Sequence, residues 1–187
     1  MTQEKTPSFS ILKVLYYTAL TIFMFSISFL MQKLALYGLS NGIEIPLLKL
    51  TYHTNKGISF STFENFGFIF SVLALVAVFF IVVYICYNTW RLSYFRVSLF
   101  AILTSGIAAN MFERVARGYV TDYLTVKYFP FPIFNFQDVL VIFACATLIL
   151  VYQIEYTRNK NNKTHFLPAS LEQIESDKSD EYSNENN

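Results

Sequence analysis

Charge is the scarcest thing in this chain. Of 187 residues only 14% are Asp, Glu, Lys or Arg, about half the share of an ordinary soluble domain. A soluble domain of this length needs a polar shell, and so few charges cannot supply one. A basic excess is missing too. Lys and Arg number 14 against 13 Asp and Glu, for a formal charge of +1. Nothing is left over to meet a run of phosphates, so nucleic acid is not expected as a partner. Cysteine is down to Cys86 and Cys145, both inside apolar runs. That excludes a disulfide framework and any metal-type Cys/His spacing, and both thiols are expected to pack as small apolar groups. The two histidines, His53 and His165, stand far apart and no H-E-x-x-H occurs, so neither a metal nor another cofactor is expected. What the chain has in quantity is apolar surface. Hydrophobic residues make up 54% of it, with 20 Phe and 13 Tyr. Such a composition excludes a disordered chain, and an integral membrane protein is expected.

The charges are also unevenly placed. From Leu167 onward there are six acids (Glu172, Glu175, Asp177, Asp180, Glu181 and Glu185) and one base, Lys178. The remainder carries thirteen bases and seven acids. The net +1 therefore hides a basic body and an acidic tail. The tail, residues 159–187, is polar and is expected to be disordered.

Charge-free stretches mark four membrane spans, expected as helices over residues 13–36, 66–87, 95–113 and 134–155. The first has no charge between Lys13 and Lys33, enough chain to cross about 30 Å of hydrocarbon. It is too long for the apolar core of a signal peptide, no small-x-small cleavage site follows it, and it reads as a retained helix. The second, FGFIFSVLALVAVFFIVVYICY, is the clearest. Four spans put both termini on one side. Bases divide eight against six in favour of that side, which points to cytoplasmic termini, residues 1–12 included. Between the first two helices, IEIPLLKLTYHT alternates partially and is rich in β-branched residues, so a small extracytoplasmic strand or hairpin is expected there. The fold class is thus an all-α integral membrane protein, with four helices and a small β-containing segment.

Outside the tail only two aspartates remain, Asp122 and Asp138, both flanking apolar spans on the same side. Ionisable groups at membrane depth are expensive, which makes them candidates for function. Two carboxylates close together do not both ionise easily; such a pair can activate a water and protonate a leaving amine. The plain alternative is a pair of solvated interfacial acids. Asn110 and Asn135 each lie near one of the aspartates, where an amide can fix a carboxylate or a substrate backbone, or simply end a helix. Arg114 sits one turn after Asn110, suited to the site or to a lipid headgroup. Asn55-Lys56-Gly57-Ile58-Ser59-Phe60-Ser61 reads as a substrate-facing loop or as a plain turn.

Taken together, these clusters resemble the lipoprotein signal peptidases (type II signal peptidases), a family of four-span bacterial membrane aspartyl proteases. The N-x-G-x-x-F element of that family corresponds to Asn55, Gly57 and Phe60. Its G-N-x-x-D-R element corresponds to Ala109-Asn110-Met111-Phe112-Glu113-Arg114, and the following G-x-V-x-D to Gly118-Tyr119-Val120-Thr121-Asp122. Its F-N-x-A-D corresponds to Phe134-Asn135-Phe136-Gln137-Asp138. Order and spacing agree over residues 13–155. The resemblance implies Asp122 and Asp138 as a catalytic dyad. It implies Asn55, Gly57, Asn110, Arg114 and Asn135 as supporting or substrate-contacting residues, and a small β-cradle on the membrane. It further implies removal of signal peptides from diacylglyceryl-modified prolipoproteins, with the cut before the lipid-modified cysteine and the active site near the extracytoplasmic face of the bacterial cytoplasmic membrane. Membrane lipids are the other expected partners, and a monomer is expected.

The departures are specific. Where the family has Asp four residues before a lysine of the first helix, this chain has Phe29 before Lys33. Ala109 replaces Gly, Glu113 replaces Asp, and Gln137 replaces the Ala beside the final Asp. Gln137 can crowd the Asp138 carboxylate or orient it. A homologue that binds lipidated peptides without cutting them is therefore a second reading, against which the retained Asp pair counts. A Ser/Lys or Ser/His protease built on Ser59, Ser61 or Ser105 with Lys56 or His53 finds no nucleophile-elbow spacing. A small transporter or structural four-helix protein would show broken helices or inverted repeats, and neither occurs.

Overall fold

The structure, a computed structural model, describes residues 9–39, 42–57 and 67–165, with side chains as far as residue 161. Ser59, Phe60, Ser61 and the acidic tail from residue 166 lie outside the described residues. Among the described residues there are four helices: α1 (Ile11–Gly38), α2 (Gly67–Asn88), α3 (Tyr94–Arg117) and α4 (Phe136–His165). Each is long and apolar enough to cross a bilayer. The described residues also form three short strands, β1 (Ile43–Glu44), β2 (Leu48–Asn55) and β3 (Val120–Val126), which make one antiparallel sheet in that order.

α3 is the axis of the bundle. Its buried face runs Val97, Leu99, Ala101, Leu103, Thr104, Ser105, Gly106 and Ala109 to Glu113. One side of it meets Tyr17 of α1 and Ile85 of α2. The other meets Ala144 and Leu148 of α4. In lipid no hydrophobic force drives helices together, so close packing of small residues and interhelical hydrogen bonds must do it. Both are present. A Cβ on Gly106 would lie 2.8 Å from the Gln137 carbonyl oxygen and 2.9 Å from Val141 Cγ2, so only glycine lets α3 and α4 approach this closely. Tyr17 Oη and Thr104 Oγ1 share a 2.7 Å hydrogen bond between α1 and α3. Lys13 Nζ donates to the carbonyls of Thr89 (2.8 Å) and Leu92 (2.7 Å), holding the link between α2 and α3. The outward faces carry large exposed apolar side chains, Phe79, Phe80 and Phe143 among them. Cys86 is one of these exposed groups, and Cys145 packs against the α3–α4 cluster; both are free thiols.

The ends of α3 explain how the sheet is attached. Ser93 caps the start by accepting the Arg96 N–H. Gly118 ends the helix with φ +78°, the left-handed conformation that glycine enters without strain, and its N–H bonds to Arg114 O. Arg114 and Arg117 in the last turn match the negative end of the helix dipole. The chain then reverses directly into β3. β2 pairs with β3 with Asn55 opposite Val120 and His53 opposite Asp122, the register shifting between Leu50 and His53. β1 and β2 lie in the expected segment between the first two helices. β3 is an added strand, formed by the stretch that carries Asp122. Ala35 and Leu39 at the end of α1 pack against Tyr123, tying the sheet to the bundle.

Each helix runs past its expected C-terminal limit, and α4 most of all. It ends at His165 rather than near residue 155, so residues 159–165 are helical where a disordered segment was expected. No Gly or Pro interrupts this stretch before Pro168, and an established helix propagates cheaply through Asn and Lys. The compact unit that holds the site ends at Leu148. The rest of α4, from Ile149, forms a second unit, with Gln153, Ile154, Thr157, Arg158 and Asn161 along a shallow surface groove.

Candidate active site

The two aspartates arrive from different elements. Asp122 is the third residue of β3 and is 4% exposed. Asp138 lies in the first turn of α4. Their meeting depends on how α4 starts. Asn135 caps the helix: its Oδ1 accepts the Asp138 N–H at 2.9 Å, and Asp138 Oδ2 accepts the Asn135 N–H at 3.1 Å. This reciprocal pair is a capping box, which fixes both side chains at the helix mouth. Tyr123 assists, its hydroxyl oxygen accepting the Phe136 N–H at 3.3 Å.

With its oxygen bound to Asp138, the Asn135 amide turns its Nδ2 to Asp122 Oδ1 (2.8 Å) and to Asn110 Oδ1 (3.2 Å). Asn110 Nδ2 in turn donates to Asp138 Oδ1 at 2.8 Å. On the far side of Asp122, Asn55 Nδ2 donates to Oδ2 at 2.8 Å. Asn55 is itself set by Gly57, whose N–H donates to Asn55 Oδ1 at 3.0 Å. The Gly57 carbonyl accepts Arg114 NH2 at 3.0 Å. One continuous network thus joins all seven residues singled out from the sequence: Asn55, Gly57, Asn110, Arg114, Asp122, Asn135 and Asp138. Each of the four carboxylate oxygens receives an amide N–H.

The network opens on a cavity of about 270 Å³, shared by Asp122, Asp138, Asn55, Asn110 and Arg114 on its polar side. Phe131, Ile133 and Phe134 of the β3–α4 link and Val141 and Ile142 of α4 form the apolar side. Burial pushes the Asp122 carboxyl from its ordinary 3.8 up to about 6. The Asn55 and Asn135 amides oppose that rise, and the charges of Asp138 and Glu113 add to it. Burial likewise pushes the neighbouring Tyr123 phenol to about 12, so it stays protonated at any working pH. A carboxyl with its pKa raised to about 6, a second carboxylate held by the same asparagine and a cavity lined by both are elements that acid–base chemistry on water requires.

The departures from the family pattern are resolved by position. Gln137 is fully buried but faces α1, where its Nε2 donates to Ser28 O at 3.3 Å. It neither crowds nor orients the Asp138 carboxylate, because one step along a helix rotates the side chain to another face. Phe29 lies under Lys33, whose ammonium stands 5.3 Å from that ring and 5.9 Å from Tyr37. An aromatic ring thus faces the cation at the position where the family pattern has an aspartate. Glu113 is buried and bound to Thr121, a contact missed in the sequence because the turn at Gly118 brings the two together. Among the described residues, the serine alternative on Ser105 gains nothing. Ser105 Oγ donates to Ile102 O within its own helix, and His53 bonds Thr51 Oγ1 on the exposed side of β2. Among the described residues, no group of three or more His, Cys, Asp and Glu side chains is placed to hold a metal ion.

Four helices fit to span a membrane, with a small sheet at one end and two carboxylates bound by one asparagine where the two meet, define the class as a multi-pass membrane protein. Comparison with known proteins narrows the class. The family described as Signal peptidase (SPase) II matches residues 20–154. The lipoprotein signal peptidase of Fusobacterium nucleatum is 34% identical over 129 residues, 67% of this chain and 78% of that protein. That of Wigglesworthia glossinidia brevipalpis is 31% identical over 137 residues, 70% of this chain and 88% of its own. A solved bacterial membrane enzyme, determined by the in meso method at 2.3 Å, shares the fold with a TM-score of 0.67. It is 21% identical, and the match covers 78% of this chain and 91% of that one. The chain belongs to the signal peptidase II family and is a protease.

Proposed function

We propose that the chain is a membrane aspartyl endopeptidase that removes signal peptides from bacterial prolipoproteins, cutting before the lipid-modified cysteine. Asp122 and Asp138 are its catalytic pair. The observation that carries this reading is the joint anchoring of the two carboxylates by Asn135 at the edge of one cavity. The pair shares one proton. The ionised member takes a proton from a water in the cavity as the water oxygen bonds to the scissile carbonyl carbon. The protonated member then gives its proton to the leaving nitrogen as the C–N bond breaks, and the charges on the pair are exchanged. Asn55, Asn110 and Asn135 hold the carboxylates, and Arg114 holds the Gly57 segment. The apolar wall of the cavity, Val141, Ile142 and Phe131, is suited to acyl chains.

The organisation that goes with this reading has cytoplasmic termini and the sheet and cavity at the extracytoplasmic face. Residues 1–12 are then a cytoplasmic N-terminal segment, residues 13–158 the four-helix peptidase domain and residues 159–187 a cytoplasmic tail. Weak positive-inside bias and four spans support the orientation. The direct test is to reconstitute the purified chain in liposomes with a diacylglyceryl-modified prolipoprotein. The expected product begins at the lipidated cysteine. An uncut substrate, or a cut elsewhere in the chain, contradicts the reading.

A further inference from the structure

Glu113 is a buried acid that the proposed chemistry does not use, only 2% exposed. Burying a carboxylate is costly unless donors surround it. Three do. Oε2 accepts the Thr121 N–H at 2.9 Å, and Oε1 accepts the Thr121 hydroxyl at 2.6 Å and Arg117 NH1 at 3.0 Å. Two of the three come from a single residue, and that residue is fully buried and directly precedes Asp122. A carboxylate that binds both the N–H and the hydroxyl of Thr121 fixes its backbone and its side chain at once.

The next residue along α3 acts on the other side. Arg114 holds the Gly57 carbonyl, Gly57 holds Asn55, and Asn55 donates to Asp122 Oδ2. The last turn of α3 therefore reaches Asp122 by two routes, through β3 from Glu113 and through β2 from Arg114. The Gly118 turn makes the first route possible, since it folds Thr121 back against the helix that has just ended.

We propose that Glu113 is a positioning residue for Asp122, gripping Thr121 so that the Asp122 carboxylate stays between the Asn55 and Asn135 amides. This rests on Asp122 acting in the catalytic pair. A grip of this kind sets the rate of the chemical step rather than substrate affinity, because Glu113 and Thr121 do not line the cavity.

The test uses the full chain in liposomes with a diacylglyceryl-modified prolipoprotein, and compares Glu113→Gln, Thr121→Val, Thr121→Ser and Asp122→Asn. Glu113→Gln and Thr121→Val are expected to lower kcat by about 10- to 100-fold with KM changed by less than about twofold. Thr121→Ser, which keeps the hydroxyl, is expected to recover most of the rate. A kcat within about twofold of the parent in both of the first two variants overturns the proposal. So does a Thr121→Ser variant as slow as Thr121→Val, since the lost methyl would then be the cause. If Glu113→Gln does not fold, the isosteric Thr121→Val and its Ser counterpart decide the matter. Full activity of Asp122→Asn would instead remove the catalytic pair itself. An inactive Asp122→Asn beside fully active Glu113 and Thr121 variants would remove only the positioning role.

Discussion

Asn135 takes part in four of the hydrogen bonds on which the site depends. It caps α4, binds Asp138 twice and is the link to Asp122. Asn135→Ala should therefore lose an N-cap worth about 1 kcal/mol. It should also lower kcat by about 100-fold. Thermal unfolding in detergent and steady-state cleavage measure the two effects separately, and a variant of unchanged rate would show that the carboxylates hold their places without it. A second prediction concerns protons. Asp122 titrates near 6 in the folded chain against 3.8 when unperturbed, so the folded state keeps a proton that the unfolded state releases earlier. The resulting stabilisation is complete below the unfolded value and is lost as pH rises through 6. Its full size is on the order of 3 kcal/mol. The melting temperature of the parent should fall from about pH 5 to about pH 7 more than that of Asp122→Asn, which carries no such proton. Equal pH dependence in the two would show that Asp122 is not perturbed by burial. At this scale the site was readable because acids are so rare in the body of the chain that Asp122 and Asp138 stand out. The direction of Gln137 and the partners of Glu113 were not readable. The first depends on a rotation between adjacent helix residues, the second on a chain reversal that brings Thr121 back to the helix it follows.

The elements place these residues through a few backbone features. Gly106 allows α3 to approach the first turn of α4, the turn that carries Asp138. In Gly106→Val the new Cβ meets the Gln137 carbonyl at 2.8 Å, a backbone atom that cannot swing aside. Separation of the two helices should cost about 1–3 kcal/mol. It should also draw Asn110 from Asp138, so cleavage falls further than stability alone explains. Normal activity with a lowered melting temperature would show that the α3–α4 spacing serves packing only. All four helices were legible from long apolar runs with few or no charges, and their C-terminal ends moved because polar residues at a membrane surface continue a helix without difficulty. β3 was hidden for a different reason. Val120–Val126 is rich in β-branched residues, but its partner β2 lies two helices earlier in the chain. No local pattern reports pairing over that distance.

For the whole molecule, the scarcity of charge was informative in two ways. It separates a membrane body from an acidic extension, and within the body it leaves few groups able to do chemistry. Every residue of the hydrogen-bonded site falls between Asn55 and Asp138. Removal of the chain after Thr164 is therefore expected to leave cleavage within about twofold of the parent, since residues this polar add no core. A large loss in the liposome assay would assign the extension a part in activity.

The central claim is that Asp122 and Asp138 act as a pair. It is tested most directly by single-turnover cleavage of a diacylglyceryl-modified prolipoprotein by the parent, Asp122→Asn and Asp138→Asn, each reconstituted in liposomes at equal amounts of inserted protein. Either substitution keeps the shape of the side chain and removes its acid–base function. Both variants should insert and melt as folded proteins, yet cleave at least about 1,000-fold more slowly than the parent. Parent-like cleavage by either one would contradict the account.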